Sequence, residues 1–182
     1  MKRIFTLAAL VLPIAFMPVT VFAHGPSGQK QVKEIVIKAE PAKVWALVKD
    51  FGAIDKWHPS VTSVKTEQKK DDADGETYTF RTVTLKDGKT LYEKQRETID
   101  EDMKLGYKMM DGTFLVSNYT SVMKVSPGDV AGESKLSWTG RFYNKANTME
   151  APAGEDNVAA NKAIEDLYNA GLEGIKKYLE VK

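Results

Sequence analysis

The segment PAKVWALVKDFGAIDKWHPSV, residues 41–61, holds two of the three tryptophans of this chain and one of its two histidines. Pro41 suits the first position of a helix. Apolar residues then recur at helical spacing, namely Val44, Leu47, Val48 and Phe51. Gly52 is a suitable helix stop, and a second short helix over 53–57 ends before Pro59. We therefore expect two short helices here, with Trp45 and Phe51 as core anchors.

The chain after this segment predicts strands separated by tight turns. The turn signals are Asp74-Gly75, Asp87-Gly88, Asp111-Gly112 and Gly128-Asp129. The β-rich runs between them are 61–68, 76–85, 90–99, 104–110, 115–125 and 134–143. Such dipeptides between β-rich runs are typical of hairpins, so an antiparallel meander is expected. A Val- and Ile-rich run at 31–37 precedes the helices and brings the predicted strands to seven.

A long helix is predicted at the C-terminal end, with Asn157 as its cap. Its apolar stripe consists of Ile164, Leu167, Tyr168, Gly171, Leu172, Ile175, Tyr178 and Leu179. Gly171 and Gly174 would allow this helix to approach the sheet closely. The predicted fold is α+β: a seven-stranded curved antiparallel sheet wrapped on the long C-terminal helix, with two short helices between strands 1 and 2.

The first 23 residues have the pattern of a cleaved secretory signal peptide. Lys2 and Arg3 precede an apolar run over 7–16, and Val21-Phe22-Ala23 forms a small-x-small site with cleavage expected after Ala23. Residues 4–23 are also about long enough to span a bilayer, but their two prolines and the cleavage pattern argue against a retained anchor. We expect a flexible mature start over 24–30 and one domain over 31–182, exported to a bacterial periplasm without stable membrane insertion.

Charge and cysteine content exclude several classes of partner and reaction. The chain has 26 basic and 25 acidic residues, so removing Lys2 and Arg3 leaves 24 basic ones and a net charge of −1. Nothing in that balance indicates nucleic acid as a partner. There is no cysteine, and hence no disulfide, thiol nucleophile or lipid-attachment thiol.

This order of elements resembles that of the START/Bet v 1-like superfamily of helix-grip proteins, also called SRPBCC or polyketide cyclase/dehydrase-like. Two segments also resemble this superfamily, namely PAKVWALVKDFGAIDKWHPSV and, near the C-terminus, NAGLEGIKKYL. The likeness extends over about 32–179. Three features are similar to those of the MxaD group of exported proteins, which are associated with bacterial methanol oxidation. They are the signal peptide, the segment HGPSGQK at the mature start, and VWALVKDF followed by WHP. The superfamily resemblance implies a cavity for hydrophobic or amphipathic ligands, enclosed by the sheet and helices.

Six side chains are candidates for lining that cavity: Trp57, His58, Tyr78, Arg81, Glu93 and Trp138. The runs 76–85 and 90–99 mix polar and apolar side chains on both faces, which fits a partly hydrated cavity and equally fits an exposed face. Leu136, Trp138, Gly140 and Phe142 make a consistent apolar face that should contact the long helix. Trp57 could pack in the core or touch a ligand, and His58 could be structural, lie at a pocket rim or act as a general base.

Metal and nucleophile sites are not predicted. With two histidines and no cysteine, a zinc or iron site built on several imidazoles is excluded. Cleavage after Ala23 would leave His24 at the N-terminus, where it could chelate copper with His58, but a flexible Gly-Pro-Ser-Gly segment follows it. Ser60 near His58 lacks a nucleophile elbow and a carboxylate partner. We expect no cofactor, no metal and no catalytic residue.

Three functions stay open on this basis. The MxaD resemblance implies a non-enzymatic periplasmic accessory protein that assists methanol dehydrogenase and its cytochrome c acceptor. A second hypothesis is a carrier or sensor of a small hydrophobic ligand. A third, a cyclase or dehydratase, requires an acid or base in the cavity, and its candidates are His58, Arg81 and Glu93.

Overall fold

A computed structural model describes residues 25–181. The elements run β1 (Gln29–Ile37), α1 (Pro41–Val48), α2 (Ile54–Trp57), β2 (Val61–Lys70), β3 (Thr77–Leu85), β4 (Thr90–Ile99), β5 (Lys104–Gly112), β6 (Val116–Pro127), β7 (Ser134–Asn144) and α3 (Asn157–Glu180). The predicted helix-grip architecture is confirmed. The signal peptide and His24 lie outside the described residues.

The seven strands form one antiparallel sheet in the order β1-β7-β6-β5-β4-β3-β2. Each strand from β2 to β7 pairs with its neighbour in sequence, as expected for hairpins. Gly75 and Gly88 adopt positive φ angles of 75° and 82° in two of the turns, which explains the Asp-Gly signals there. β1 is an edge strand that pairs with β7, where Val32 lies opposite Thr139.

α3 covers one face of this sheet, and the core lies between them. The apolar face predicted on β7 is confirmed, because Leu136, Trp138 and Phe142 are all buried. The ring of Trp138 stacks on that of Tyr168 in α3, with centroids 4.4 Å apart. No helix among residues 25–181 has the length and hydropathy needed to cross a membrane.

Two predicted helix boundaries are wrong. Asp156, not Asn157, caps α3, since its Oδ1 accepts a hydrogen bond of 2.8 Å from the N–H of Ala159. α1 ends at Val48 with Lys49 as its C-cap, and does not continue to Gly52. Phe51 is nevertheless buried, as expected.

The glycines of α3 accommodate the connection between β1 and β2, which we call the clasp (residues 41–60). A Cβ on Gly174 would lie 1.9 Å from the carbonyl oxygen of Trp57. A Cβ on Gly171 would lie 2.6 Å from the Trp138 ring and 2.8 Å from the His58 ring. The expected close approach to the sheet therefore applies to Gly171, whereas Gly174 makes room for the clasp.

Candidate functional site

His58 is held between the clasp and α3 by hydrogen bonds to both. Its Nε2 donates to the carbonyl oxygen of Leu167 at 3.0 Å, and its Nδ1 accepts from the N–H of Ser60 at 3.2 Å. The side chain is 1% exposed, and this burial lowers the pKa of His58 to about 4. His58 is therefore neutral at physiological pH, with both ring nitrogens engaged.

Trp57 packs beside His58 but lacks a hydrogen-bond acceptor. Its ring lies edge-on to Trp138, with centroids 6.1 Å apart, and the residue is 6% exposed. Among residues 25–181, Trp57 Nε1 is the one buried side-chain nitrogen or oxygen without a hydrogen-bond partner. This makes Trp57 unlike Trp45, whose Nε1 donates to Asp100 at 2.7 Å.

Trp138 belongs to a buried network of hydroxyl groups. Its Nε1 donates to Tyr107 Oη at 3.0 Å and to Ser121 Oγ at 2.8 Å. The hydroxyl of Tyr168 lies 3.3 Å from Ser121 Oγ and 2.9 Å from Tyr119 Oη. Burial raises the pKa of Tyr107 to about 12, so this group keeps its proton and can act as a donor.

Arg81 and Glu93 form a buried ion pair between β3 and β4. Arg81 Nε donates to Glu93 Oε2 at 2.7 Å, and both side chains are less than a twentieth exposed. Arg81 Nη1 also donates to the carbonyl oxygen of Phe51 at 2.8 Å, and the guanidinium lies 4.0 Å from the Phe51 ring centroid. Burial raises the pKa of Glu93, while the charge of Arg81 acts in the opposite direction. Through Arg81, which also binds the Phe51 carbonyl oxygen, the ion pair connects the sheet to the clasp.

The interior of the described residues contains a small void beside the mixed strand faces, which fitted either a partly hydrated cavity or an exposed face. The void next to Arg81, Glu93 and Trp138 measures about 10 Å³. A single water molecule needs roughly 10–15 Å³, so no organic ligand fits. The Arg81–Glu93 pair and the large rings of Tyr107 and Trp138 border this void and leave room for about one water molecule.

Tyr78 lies on the opposite face of the sheet from Arg81 and is not part of the interior set. Its hydroxyl donates to Asp74 at 2.8 Å, and the ammonium of Lys94 lies 3.4 Å from the centroid of its ring. Lys94 also pairs with Asp71 in the same hairpin. Alternation along β3 turns Tyr78 away from the helix, and the Lys94 contacts hold the β2–β3 turn against the outer face.

Two depressions border both the clasp and α3, one lined by Ser60 and the other by His58. The first, the hairpin cleft, has a volume of about 470 Å³. Its apolar lining comes from the β3–β4 hairpin, the β5–β6 turn and α3, namely Leu85, Phe114, Leu115, Ala159, Ala163 and Leu167. Leu167 also lines the interior void, so this side chain borders both the cleft and the void.

The second depression, the α2–α3 groove, has a volume of about 850 Å³. One wall is Asp55, Lys56, Trp57, His58 and Pro59 from the clasp; the other is Asn169, Ala170, Glu173, Gly174, Lys177, Tyr178 and Val181 from the C-terminal part of the chain. Of the six candidate residues, only Trp57 and His58 line it.

The sequence did not indicate Tyr107, Ser121, Tyr119 and Tyr168 as one network, because their meeting depends on how α3 crosses β5, β6 and β7. A signal for the ion pair did exist. Arg81 and Glu93 are equally far in sequence from Asp87 at the centre of the hairpin turn, and the structure pairs them directly across the strands.

No group of three or more histidine, aspartate or glutamate side chains within residues 25–181 is arranged to hold a metal ion. The copper arrangement considered for His24 lies outside the described residues. His58, which it would require as a ligand, has both nitrogens in hydrogen bonds.

Comparison with known proteins agrees with the fold. The family model described as "Polyketide cyclase / dehydrase and lipid transport" matches residues 29–180. No curated protein matches the sequence.

Several solved structures are similar. XoxI from Bacillus cereus is 24% identical with a TM-score of 0.65, covering 84% of this chain and 96% of that one. An uncharacterised protein from Bacillus thuringiensis is 22% identical with a TM-score of 0.64, covering 81% and 96%. Ara h 8.0201 is 16% identical with a TM-score of 0.63, covering 86% and 100%. At such low identities these likenesses show the fold alone.

Proposed function

This chain belongs to the polyketide cyclase / dehydrase and lipid transport family, within the START/Bet v 1-like superfamily, and from that premise we propose that it acts by binding, as a non-enzymatic accessory protein of the exported MxaD type. The family contains both enzymes and carriers, so the choice between them rests on the site and not on the fold.

The filled interior carries this proposal. A cyclase or dehydratase needs a chamber for its substrate and a free acid or base beside it. Here the void of about 10 Å³ admits no substrate. His58 has both nitrogens engaged, and Glu93 is paired with Arg81. Binding at the surface needs none of these groups to be free.

The cellular setting of the proposal comes from the sequence. The signal-peptide pattern over 1–23 supports a periplasmic location, and the segments shared with the MxaD group support a link to methanol oxidation. The partners proposed on this basis are methanol dehydrogenase and its cytochrome c acceptor. The mature charge of −1 makes neither a strongly basic nor a strongly acidic partner a requirement.

The test combines genetics with binding. We expect deletion of the gene to slow methanol-dependent respiration, and expect the purified mature protein to bind the dehydrogenase or the cytochrome in a titration. Complementation with His58→Gln, which keeps a side-chain N–H donor, should restore respiration if no proton transfer occurs at this residue. Unchanged respiration after deletion, with no binding to either protein, would overturn the proposal.

The hairpin cleft favours a second candidate function, a carrier of an amphipathic anion. Its floor is apolar, and three lysines, Lys86, Lys89 and Lys162, lie around it. Lys89 pairs with Asp87 and Lys162 with Asp166, whereas Lys86 has no ion pair among the described residues. An apolar chain on the floor with its carboxylate near Lys86 would satisfy both features.

Dodecanoate is a suitable probe for this second candidate. We expect wild-type protein to bind it saturably, Ala163→Phe to fill the cleft and abolish binding, and Ala170→Phe, on the α2–α3 groove, to leave binding intact. Leu167→Ala should increase the affinity by opening the cleft toward the void. Absence of binding by the wild type, together with protein from its source that is repeatedly ligand-free by native mass spectrometry, would exclude the carrier function.

A further inference from the structure

The α2–α3 groove has the size of a ligand site and lies apart from the hairpin cleft. Its volume of about 850 Å³ falls within the range of roughly 300–1,000 Å³ that small-molecule sites occupy. The walls come from two segments that Gly174 holds in direct contact at Trp57. The position of the two walls relative to each other is therefore fixed by main-chain packing.

Trp57, a wall residue of this groove, carries a hydrogen-bond donor that has no partner among the described residues. The residue lines the groove but neither the hairpin cleft nor the interior void. Its Nε1 is buried and has no acceptor, whereas the indole nitrogens of Trp45 and Trp138 both donate. A buried donor without an acceptor is destabilising, and such groups are rare in native proteins.

The two rings beside Trp57, those of His58 and Trp138, do not supply the acceptor. His58 uses Nδ1 to accept from Ser60 and Nε2 to donate to Leu167. The side chain of Trp138 has a donor and no acceptor. The close packing at Gly174 also fixes the main chain of Trp57. No group of the described residues accepts a hydrogen bond from Trp57 Nε1, which leaves this donor for an acceptor on a ligand.

Charge defines the class of ligand. The groove carries two acidic side chains, Asp55 and Glu173, and two basic ones, Lys56 and Lys177. His58 adds no charge, because burial lowers its pKa to about 4 and keeps it neutral. Pro59, Ala170 and Val181 supply apolar surface. Because these acidic and basic charges balance and apolar surface lies beside them, the groove disfavours a strongly charged ligand.

We propose that the α2–α3 groove binds a neutral, mainly apolar small molecule through an acceptor oxygen, such as a carbonyl, that takes the N–H of Trp57. Since Nε1 is closed to solvent in the free protein, the ligand enters by displacing the side chains that cover it. This site does not depend on the accessory role proposed above.

The test uses the naphthyl ketone Prodan, which is neutral and apolar, and its analogue with a propyl group in place of the ketone chain. We expect wild-type protein to bind Prodan saturably, and expect Trp57→Phe to weaken Prodan binding by about fivefold or more while hardly changing the analogue. Ala170→Phe should fill the groove and abolish binding of both. Ala163→Phe, the matched change in the hairpin cleft, should leave both unaffected.

Nuclear magnetic resonance gives a readout that does not require any variant to be stable. The chain has three tryptophans and hence three indole N–H signals. Prodan should move the Trp57 indole N–H signal downfield, and the analogue should not. Three results would each overturn the proposal: no saturable Prodan binding by the wild type, equal binding by Trp57→Phe, or loss of binding with Ala163→Phe but not with Ala170→Phe.

Discussion

Gly174 in α3 faces the main-chain carbonyl of Trp57 so closely that a methyl group on Gly174 would lie 1.9 Å from that oxygen. This contact joins the longest helix to the clasp through backbone, where no side-chain rotation can relieve a clash. The clasp in turn carries His58, whose hydrogen bond to Leu167 fixes the same helix about two turns earlier. The packing at these points, and the polar groups beneath it, make the fold sensitive to four changes.

Gly174→Ala should destabilise the protein even though alanine favours helix. The gain in helix propensity is about 1 kcal/mol. The cost of separating α3 from the clasp is larger, and we expect a net loss of about 1–3 kcal/mol. Urea unfolding measures the difference. Asn169→Ala on an exposed position of the same helix is the control and should be neutral or slightly stabilising. A Gly174→Ala variant as stable as the wild type would contradict the close contact between Gly174 and Trp57.

Trp57→Phe and Trp138→Phe should differ in their effect on stability. Trp138→Phe removes the N–H group that donates to Tyr107 and Ser121, and it also reduces the volume of the ring. The free energy of unfolding should fall by about 3 kcal/mol. Trp57→Phe removes a donor that has no partner, so its cost should be about 1 kcal/mol. The unfolding midpoints of the two variants compare them directly. Equal losses would mean that Trp57 Nε1 has an acceptor in solution.

Removing either member of the Arg81–Glu93 pair should cost more than removing both. Arg81→Met leaves a buried carboxylate without its partner, and we expect a loss of about 3–5 kcal/mol. The double variant Arg81→Met/Glu93→Leu removes both charges and should recover much of that loss. A double-mutant cycle from urea unfolding gives the coupling free energy. Additive losses would show that the two charges do not interact.

Acidification should destabilise the fold through His58. The unfolded chain protonates this group near its usual pKa of 6.5, whereas burial lowers the pKa in the folded state to about 4. Between these values the unfolded state binds more protons, so stability falls as pH falls, by about 3 kcal/mol in total. Unfolding free energies near neutral pH and at about pH 4.5 measure this.

The control for the pH experiment is His58→Gln, which cannot titrate. It retains every carboxylate, so the part of the pH dependence that differs from the wild type belongs to His58. If both proteins lose the same free energy on acidification, His58 is not buried as a neutral group.

Local patterns explain how far the sequence predicted this fold. Asp-Gly turns such as Asp87-Gly88 set the hairpins, and the apolar stripe around Ile164 and Tyr168 identified the long helix. Both signals act over a few residues, where turn chemistry and helical periodicity are decisive.

The site could not be predicted from such local patterns. Whether Arg81 lines a cavity or pairs with Glu93 depends on which side chains fill the interior, and that is set by contacts between distant elements.

The same limit applies to Trp57 and His58. The sequence placed both in the short connection after the first strand and left their roles open. In the structure His58 has two hydrogen-bond partners, one carbonyl of α3 and one N–H of the clasp. Neither partner group has a sequence signature, because every residue other than proline carries them.

The position of β1 at the edge of the sheet has a consequence for the order in which the chain can fold. β1 has its sheet partner in β7, with Val32 opposite Thr139, so the first strand cannot be paired until nearly the whole chain has been synthesised. Contacts between residues so distant in sequence form slowly, because a long loop must close first. β1 therefore stays unpaired until β7, which ends at Asn144, has been made, and this delay would suit a chain that crosses a membrane unfolded, as its first 23 residues predict.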